Sequence, residues 1–224
     1  TVVDHKNWKV TGEIPTLGCW AVLPVPSKPK TFGTICGDGT FVTVTLNDKG
    51  DGATQARSEK LFDAEKDPIF VQGEAVGDQY YFVTFQGNVK VVDLSGDTAK
   101  LADSWSLVTD ADKKDNWRPG GYQILAVHAP TKRLYVAMHD NGKEGSHKVP
   151  AKEIWAFDLA TKQRVERAPG SGAVAISLTK EAKPTLYTYA GEEMTVTRYD
   201  TQPALKPVAT SAQVGDTVGL IATH

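Results

Sequence analysis

The sequence predicts an all-β fold of four-stranded antiparallel propeller blades. Three observations point there. No long segment carries apolar residues at three-and-four spacing, so long helices are not expected. Short β-branched and aromatic runs recur instead, separated by Gly, Pro, Asp and Asn. One of these runs, mostly apolar with small residues, returns at intervals of roughly 45 to 52 residues, the spacing of four-stranded blades.

The recurring run reads as the innermost strand of each blade. It appears at 19–23, 70–76, 123–128, 173–178 and 218–222. A second strand follows each of the first four after a short turn, at 31–36, 80–85, 133–138 and 185–189. A third strand ends in an aspartate three times, at Asp93, Asp158 and Asp200. A fourth, more polar strand follows, such as 163–166. Residues Trp8 to Ile14 read as an outermost strand and the last run as an innermost one, with four complete blades between. A ring does not close on those two remnants, and open sheet edges invite aggregation. The expectation is that residues 1–224 are the C-terminal portion of a single β-propeller domain, with N-terminal blades beyond Thr1.

Composition narrows the function classes. Lys plus Arg number 25 and Asp plus Glu 27, a formal charge of −2. This near balance argues against a nucleic-acid partner, which calls for a basic stripe. No run approaches the roughly 20 apolar residues that span a bilayer.

The two cysteines, Cys19 and Cys36, lie equidistant from the centre of the Pro24–Lys30 turn. A hairpin sets them opposite each other, within disulfide reach. A disulfide implies an oxidising compartment, and the absence of any Asn-x-Ser/Thr acceptor is compatible with a periplasm. His128, on an innermost strand, reads as a hydrogen-bonded structural group. His139 and His147 share a loop without the further ligands a metal needs. The segment 47–52 resembles a calcium loop but puts Lys49 at a ligand position, so a hairpin turn explains it better. Gly170-Ser171-Gly172 has no helix behind it and reads as a connection.

Two long insertions stand out, at 103–121 and 139–153. In an up-and-down blade both connections emerge on one face, so they are expected to converge. Loops this long in a compact repeat fold are functional or disordered. Trp117 and Arg118 are the expected interface anchors, with Trp105 and His147 as outer candidates.

The run 115–123, Asp-Asn-Trp-Arg-Pro-Gly-Gly-Tyr-Gln, resembles the heavy subunit of the quinoprotein amine dehydrogenases, the methylamine and the aromatic (aralkyl) enzymes. The Cys19/Cys36 pair, 91–97, Arg133-Leu134-Tyr135, His147-Lys148 and 183–187 fall in the same order. Tyr122 after the glycine pair leans the resemblance towards the aromatic amine enzyme. The resemblance implies a seven-bladed propeller in a heterotetramer of two heavy and two light subunits. It implies that the cofactor, tryptophan tryptophylquinone, lies in the light subunit, where a primary amine is oxidised to an aldehyde. A light-subunit aspartate would take the substrate proton, and electrons would pass to a blue-copper protein, azurin- or amicyanin-like, in the periplasm. It assigns no catalytic, cofactor-binding or metal-binding residue to this chain. Two other classes stay open: a free-standing periplasmic propeller that binds a protein or small ligand, and a propeller hydrolase. The hydrolase needs a metal and several channel carboxylates, where the inner strands offer mainly Glu74 and His128.

Overall fold

The structure, a computed structural model, describes residues 1–217 and 219–223. The chain opens on a hairpin, β1 (Val2–Asp4) and β2 (Lys9–Gly12), which pair with each other alone. The segment expected as one outermost strand over Trp8 to Ile14 is thus the turn and second arm of a hairpin. The chain turns back at Trp8, whose φ of 52° is left-handed.

The first blade is β3 (Cys19–Pro24), β4 (Thr31–Cys36), β5 (Phe41–Leu46) and β6 (Ala53–Arg57), antiparallel and in chain order. The second is β7 (Glu74–Val76), β8 (Gln79–Val83), β9 (Asn88–Asp93) and β10 (Lys100–Ser106). A short helix follows, α1 (Asp110–Lys114), then the two-residue β11 (Arg118–Pro119). The third blade is β12 (Leu125–His128), β13 (Arg133–His139), β14 (Ala151–Asp158) and the first part of β15 (Arg164–Leu178). The rest of β15 opens the fourth blade, completed by β16 (Thr185–Ala190), β17 (Thr195–Asp200) and β18 (Lys206–Thr210).

The expected connection at Gly170-Ser171-Gly172 lies inside β15. Residues up to Pro169 pair with β14, Ala173 pairs with both β14 and β16, and those from Ala175 onward pair with β16. Ser171 and Gly172 both take left-handed φ, which lets one strand serve two blades. Gly170 has no room for a side chain, because a Cβ would stand 2.6 Å from the Ala151 carbonyl oxygen.

Two of the aspartates that end the third strands, Asp93 and Asp158, have a local task. The Asp93 carboxylate accepts from the Ser95 N–H at 2.8 Å, and that of Asp158 from Ala160 and Thr161, both at 2.9 Å. A carboxylate that satisfies backbone donors two and three residues on fixes the turn into the fourth strand. Segment 47–52 is likewise the turn between β5 and β6, closed by Asn47 N–H to the Gly52 carbonyl at 2.9 Å.

The inner strands at 19–23 and 173–178 are strand throughout, but those expected at 70–76 and 123–128 are shorter than the apolar runs predict. Of 70–76 only Glu74–Val76 is strand. Before it, the Gln72 side chain, not its backbone, bonds β12: its amide donates to the Leu125 carbonyl at 3.1 Å and accepts from the Leu125 N–H at 3.4 Å. Gln123 does the same to Ile221, at 2.9 and 3.2 Å. Of the last expected strand, Val218 lies outside the described residues, and 219–222 are not strand.

Two compact units are distinguished. One comprises Thr1–Val71, Ala75–Tyr81 and Lys90–Ser104; the other comprises Gln72–Glu74, Phe82–Val89 and the chain from Trp105 onward. In the first, Cys36, Val42 and Val44 form a buried cluster against which Ile14, Cys19, Phe32 and Ala53 pack. Cys19 and Cys36 are register partners and form the expected disulfide, their Cα atoms 3.9 Å apart. The second unit is centred on β12, β13 and β14, where Leu134, Met138, Ile154, Trp155 and Phe157 are buried.

Candidate functional site

The two insertions converge, but both are shorter than expected: residues 103–106, with Trp105, belong to strand β10, and 151–153 to β14. The first carries α1, which the apolar periodicity did not show. The signal was a capping box: the Thr109 hydroxyl accepts from the Asp112 N–H, and the Asp112 carboxylate accepts from the Thr109 N–H at 2.8 Å. The second insertion contains a 3-10 turn, Ser146–Lys148.

Backbone bonds zip the two together. Asn141 N–H donates to the Asp115 carbonyl at 2.9 Å, Gly142 to Asn116 at 2.8 Å, and Gly121 to His147 at 3.0 Å. Arg118 and Pro119 pair with His139 and Met138. These approaches explain the glycines. A Cβ on Gly120 would meet the Val149 carbonyl oxygen at 2.4 Å and His139 Cδ2 at 2.6 Å. One on Gly142 would meet the Arg118 side chain at 2.6 Å and the Asn116 carbonyl oxygen at 2.7 Å. The Trp-Arg-Pro-Gly-Gly run is therefore a crossing point of closely apposed backbones.

Trp117, expected as an exposed anchor, is only 6% exposed. Its ring lies 5.0 Å from that of the fully buried Trp155. It is the floor under the loops, because apolar surface of that size is more stable against Trp155 than in water. Arg118 and His147 are half-buried, and Trp105 is half-buried with its ring 5.6 Å from that of Phe157. His147 stacks on Phe85 at 4.6 Å, nearly parallel. Sequence reasoning missed Phe85, Tyr122 and Lys148 as surface groups. Tyr122 is exposed, and the Lys148 ammonium stands 5.8 Å from its ring centroid. An exposed aromatic on the flank of a glycine pair was the available signal.

Charged groups grip Trp117 and Trp155. The Arg164 guanidinium lies 4.1 Å from the Trp155 centroid, and that of Arg167 lies 5.0 Å from Trp155 and 4.8 Å from Trp117. The Lys152 ammonium lies 5.7 Å from the Trp117 centroid. Each cation has its own carboxylate. Arg164 donates to Asp112 at 2.9 Å, Arg167 to both oxygens of Glu153 at 2.5 and 2.9 Å, and Lys152 to Asp140. Glu153 also accepts the Trp155 indole N–H at 2.6 Å. Burial pushes the Asp112 carboxyl up, but hydrogen bonds from Arg164 and Thr109 outweigh it and hold it below the usual carboxylate range. The bond to Glu153 raises Arg167.

His128 and His139 are each held by a local hydrogen bond. His128 Nδ1 accepts from the Thr131 N–H at 3.3 Å and lies 2.8 Å from its hydroxyl. His139 Nδ1 donates to the Asp140 carbonyl at 2.9 Å. His139 and His147 lie in the same loop pair, but no group of three or more His, Cys, Asp or Glu among the described residues is placed to hold a metal ion.

Fold and site together define a class: a β-propeller chain that presents a pair of closely joined loops. The comparisons with known proteins say which. Residues 1–224 match the family model of the methylamine dehydrogenase heavy chain, and the chain belongs to that family. It is 29% identical over 197 residues to the methylamine dehydrogenase heavy chain of Methylobacillus flagellatus, covering 87% of this chain and 48% of the relative. It is 26% identical to those of Methylorubrum extorquens, over 96% of this chain and 52% of the relative, and of Paracoccus versutus, over 100% and 51%. The chain thus spans about half the length of the curated relatives it matches. Among solved structures, the C-terminal WD40 domain of Sif2 superposes with a TM-score of 0.57 at 9% identity, covering 92% of this chain and 51% of that one. A Lactobacillus plantarum protein superposes with a TM-score of 0.59 at 8% identity, covering 89% and 57%. These likenesses bear on the fold alone.

Proposed function

We propose that this chain is heavy-subunit propeller from a periplasmic quinoprotein amine dehydrogenase, and that its paired loops dock the light subunit that carries the quinone. The observation that carries the reading is the pairing itself: two long insertions, closed on each other by backbone bonds, in a chain matched over its full length by the heavy-chain family. Arg118 and His147, with Tyr122 beside them, are the groups offered to the partner, and Trp117 supports them from beneath. Trp105 is an outer contact.

Tryptophan tryptophylquinone does not fit this chain. Its nearest tryptophan pair, Trp117 and Trp155, has both rings buried, leaving no exposed edge at which an amine can add. Chemistry of that kind is supplied by a cofactor that the protein encloses, and here that enclosure belongs to the assembly. The assembly is a heterotetramer of two heavy and two light subunits, built on a seven-bladed ring of which these blades are part. It passes electrons to a blue-copper acceptor. The finer expectation of an aromatic amine rests on Tyr122, whereas the curated relatives are methylamine dehydrogenase heavy chains.

The test is reconstitution. The native protein that carries this chain is purified with and without the light subunit, and dye and blue-copper reduction are followed with methylamine and tyramine. Amine-dependent reduction is expected only with the light subunit present, and the better amine decides the type. A coloured, active heavy chain alone, or a heavy chain that never retains a light subunit, refutes the reading.

A further inference from the structure

We infer that Arg164 and Arg167, on the outer-strand part of β15, are positioning residues that clamp both insertion loops in their docking shape; the docking consequence rests on the reading above. Neither residue belongs to either loop, and their side chains are 22% (Arg164) and 39% (Arg167) exposed. Yet each is bonded to an acid that belongs to, or leads out of, one of the loops.

Arg164 reaches the first insertion. Its partner Asp112 is buried, and the same carboxylate caps α1 through the Thr109 N–H. The backbone carbonyl of Asp112 in turn accepts from the Trp117 N–H at 3.2 Å. Arg164 therefore fixes both the start of α1 and the residue that floors the loops. Arg167 reaches the second insertion. It faces Trp155 across the β14–β15 register and holds Glu153, two residues into β14 from the loop's end. Its guanidinium is also close to both indoles, so one planar cation fixes the spacing of Trp117 and Trp155. A delocalised, forked guanidinium can stack and make paired hydrogen bonds at once, which a lysine ammonium cannot.

Backbone bonds and the pairing of Arg118 and Pro119 with His139 and Met138 join the loops to each other, and the two arginines tie that joined pair to β15. If either arginine is lost, a carboxylate in the lining loses its cation, and local opening becomes easier than global unfolding.

The experiment is hydrogen exchange on the native protein with Arg164→Gln and Arg167→Gln, read at the amides of Trp117, Asn141 and Gly142. Each variant is expected to speed exchange there by about tenfold or more, with the β16 and β17 amides unchanged. Arg164→Lys and Arg167→Lys are expected to restore protection only in part. Asp112→Asn breaks the first contact from the other side and keeps the question answerable if Arg164→Gln does not fold. Light-subunit affinity, measured in parallel, is expected to fall about tenfold with loop protection. Loop amides that exchange as in the unaltered protein, or full rescue by lysine, overturn the clamp. Loosened loops with undiminished affinity overturn its role in docking. If even the unaltered protein fails to bind the light subunit, the docking reading falls while exchange still decides the clamp.

Discussion

Trp117 is where the buried reading and the exposed-anchor reading part most clearly. Replacing Trp117 by Ala removes an indole that is only 6% exposed and rests on Trp155 at 5.0 Å. Truncating a buried aromatic to Ala costs about 3–5 kcal/mol, as lost transfer energy plus the cavity left behind. Arg167 also loses one of its two rings, a contact worth about 0.5–1 kcal/mol where partly exposed. Some of this returns if the loops collapse into the space, so the expected loss is about 3 kcal/mol. Trp117→Phe, which keeps a ring over Arg167, is expected to lose about half as much. Urea unfolding of the native protein, followed by far-ultraviolet circular dichroism and by tryptophan fluorescence, gives the measurement. A loss below about 1 kcal/mol in Trp117→Ala, with light-subunit binding still abolished, would refute the reasoning and restore Trp117 as an exposed anchor.

Three further outcomes are expected. Thiol titration of the denatured, unreduced protein should find Cys19 and Cys36 unreactive, and the double Ala variant should lose on the order of 3 kcal/mol. Burial raises the Glu74 carboxyl, with Lys180 3.8 Å away opposing the shift. Glu74 therefore stabilises the fold below its ordinary value of 4.5, and that contribution is lost as pH rises through the raised folded value; Glu74→Gln should flatten the urea midpoint across that window, and an unchanged slope counts against it. Gly142→Ala places a methyl group 2.7 Å from the Asn116 carbonyl oxygen, so it should speed exchange at the Asn141 and Gly142 amides and cost about 1–3 kcal/mol; protection equal to that of the unaltered protein would show that the loops do not meet there.

Much of the fold was legible because blade structure is written in short β-branched and aromatic runs at a recurring interval. The strands at 31–36 and 185–189, the aspartate turns and the Cys19/Cys36 pairing follow from local patterns that tertiary packing does not override. The helix α1 was legible in principle from Thr109 and Asp112, but five residues are too few to show helical periodicity. The inner strands at 70–76 and 123–128 were over-read, since the Gln72 side chain takes up the bond to β12 and the Gln123 backbone bridges to Ala175 of the next blade. Nothing in a linear pattern says whether a side chain or a peptide group will supply that bond.

The sequence by itself determined the blades, the disulfide and the meeting of two insertions on one side, because each depends on spacing along the chain. Only the tertiary structure decided which loop residues face inward. Trp117 and Arg118 are neighbours of equal promise as anchors, yet Trp155 and Arg167, 38 and 50 residues beyond Trp117, draw the indole inside. Burial is set by contacts distant in sequence, and so the surface offered to a partner could be read only once those contacts had formed.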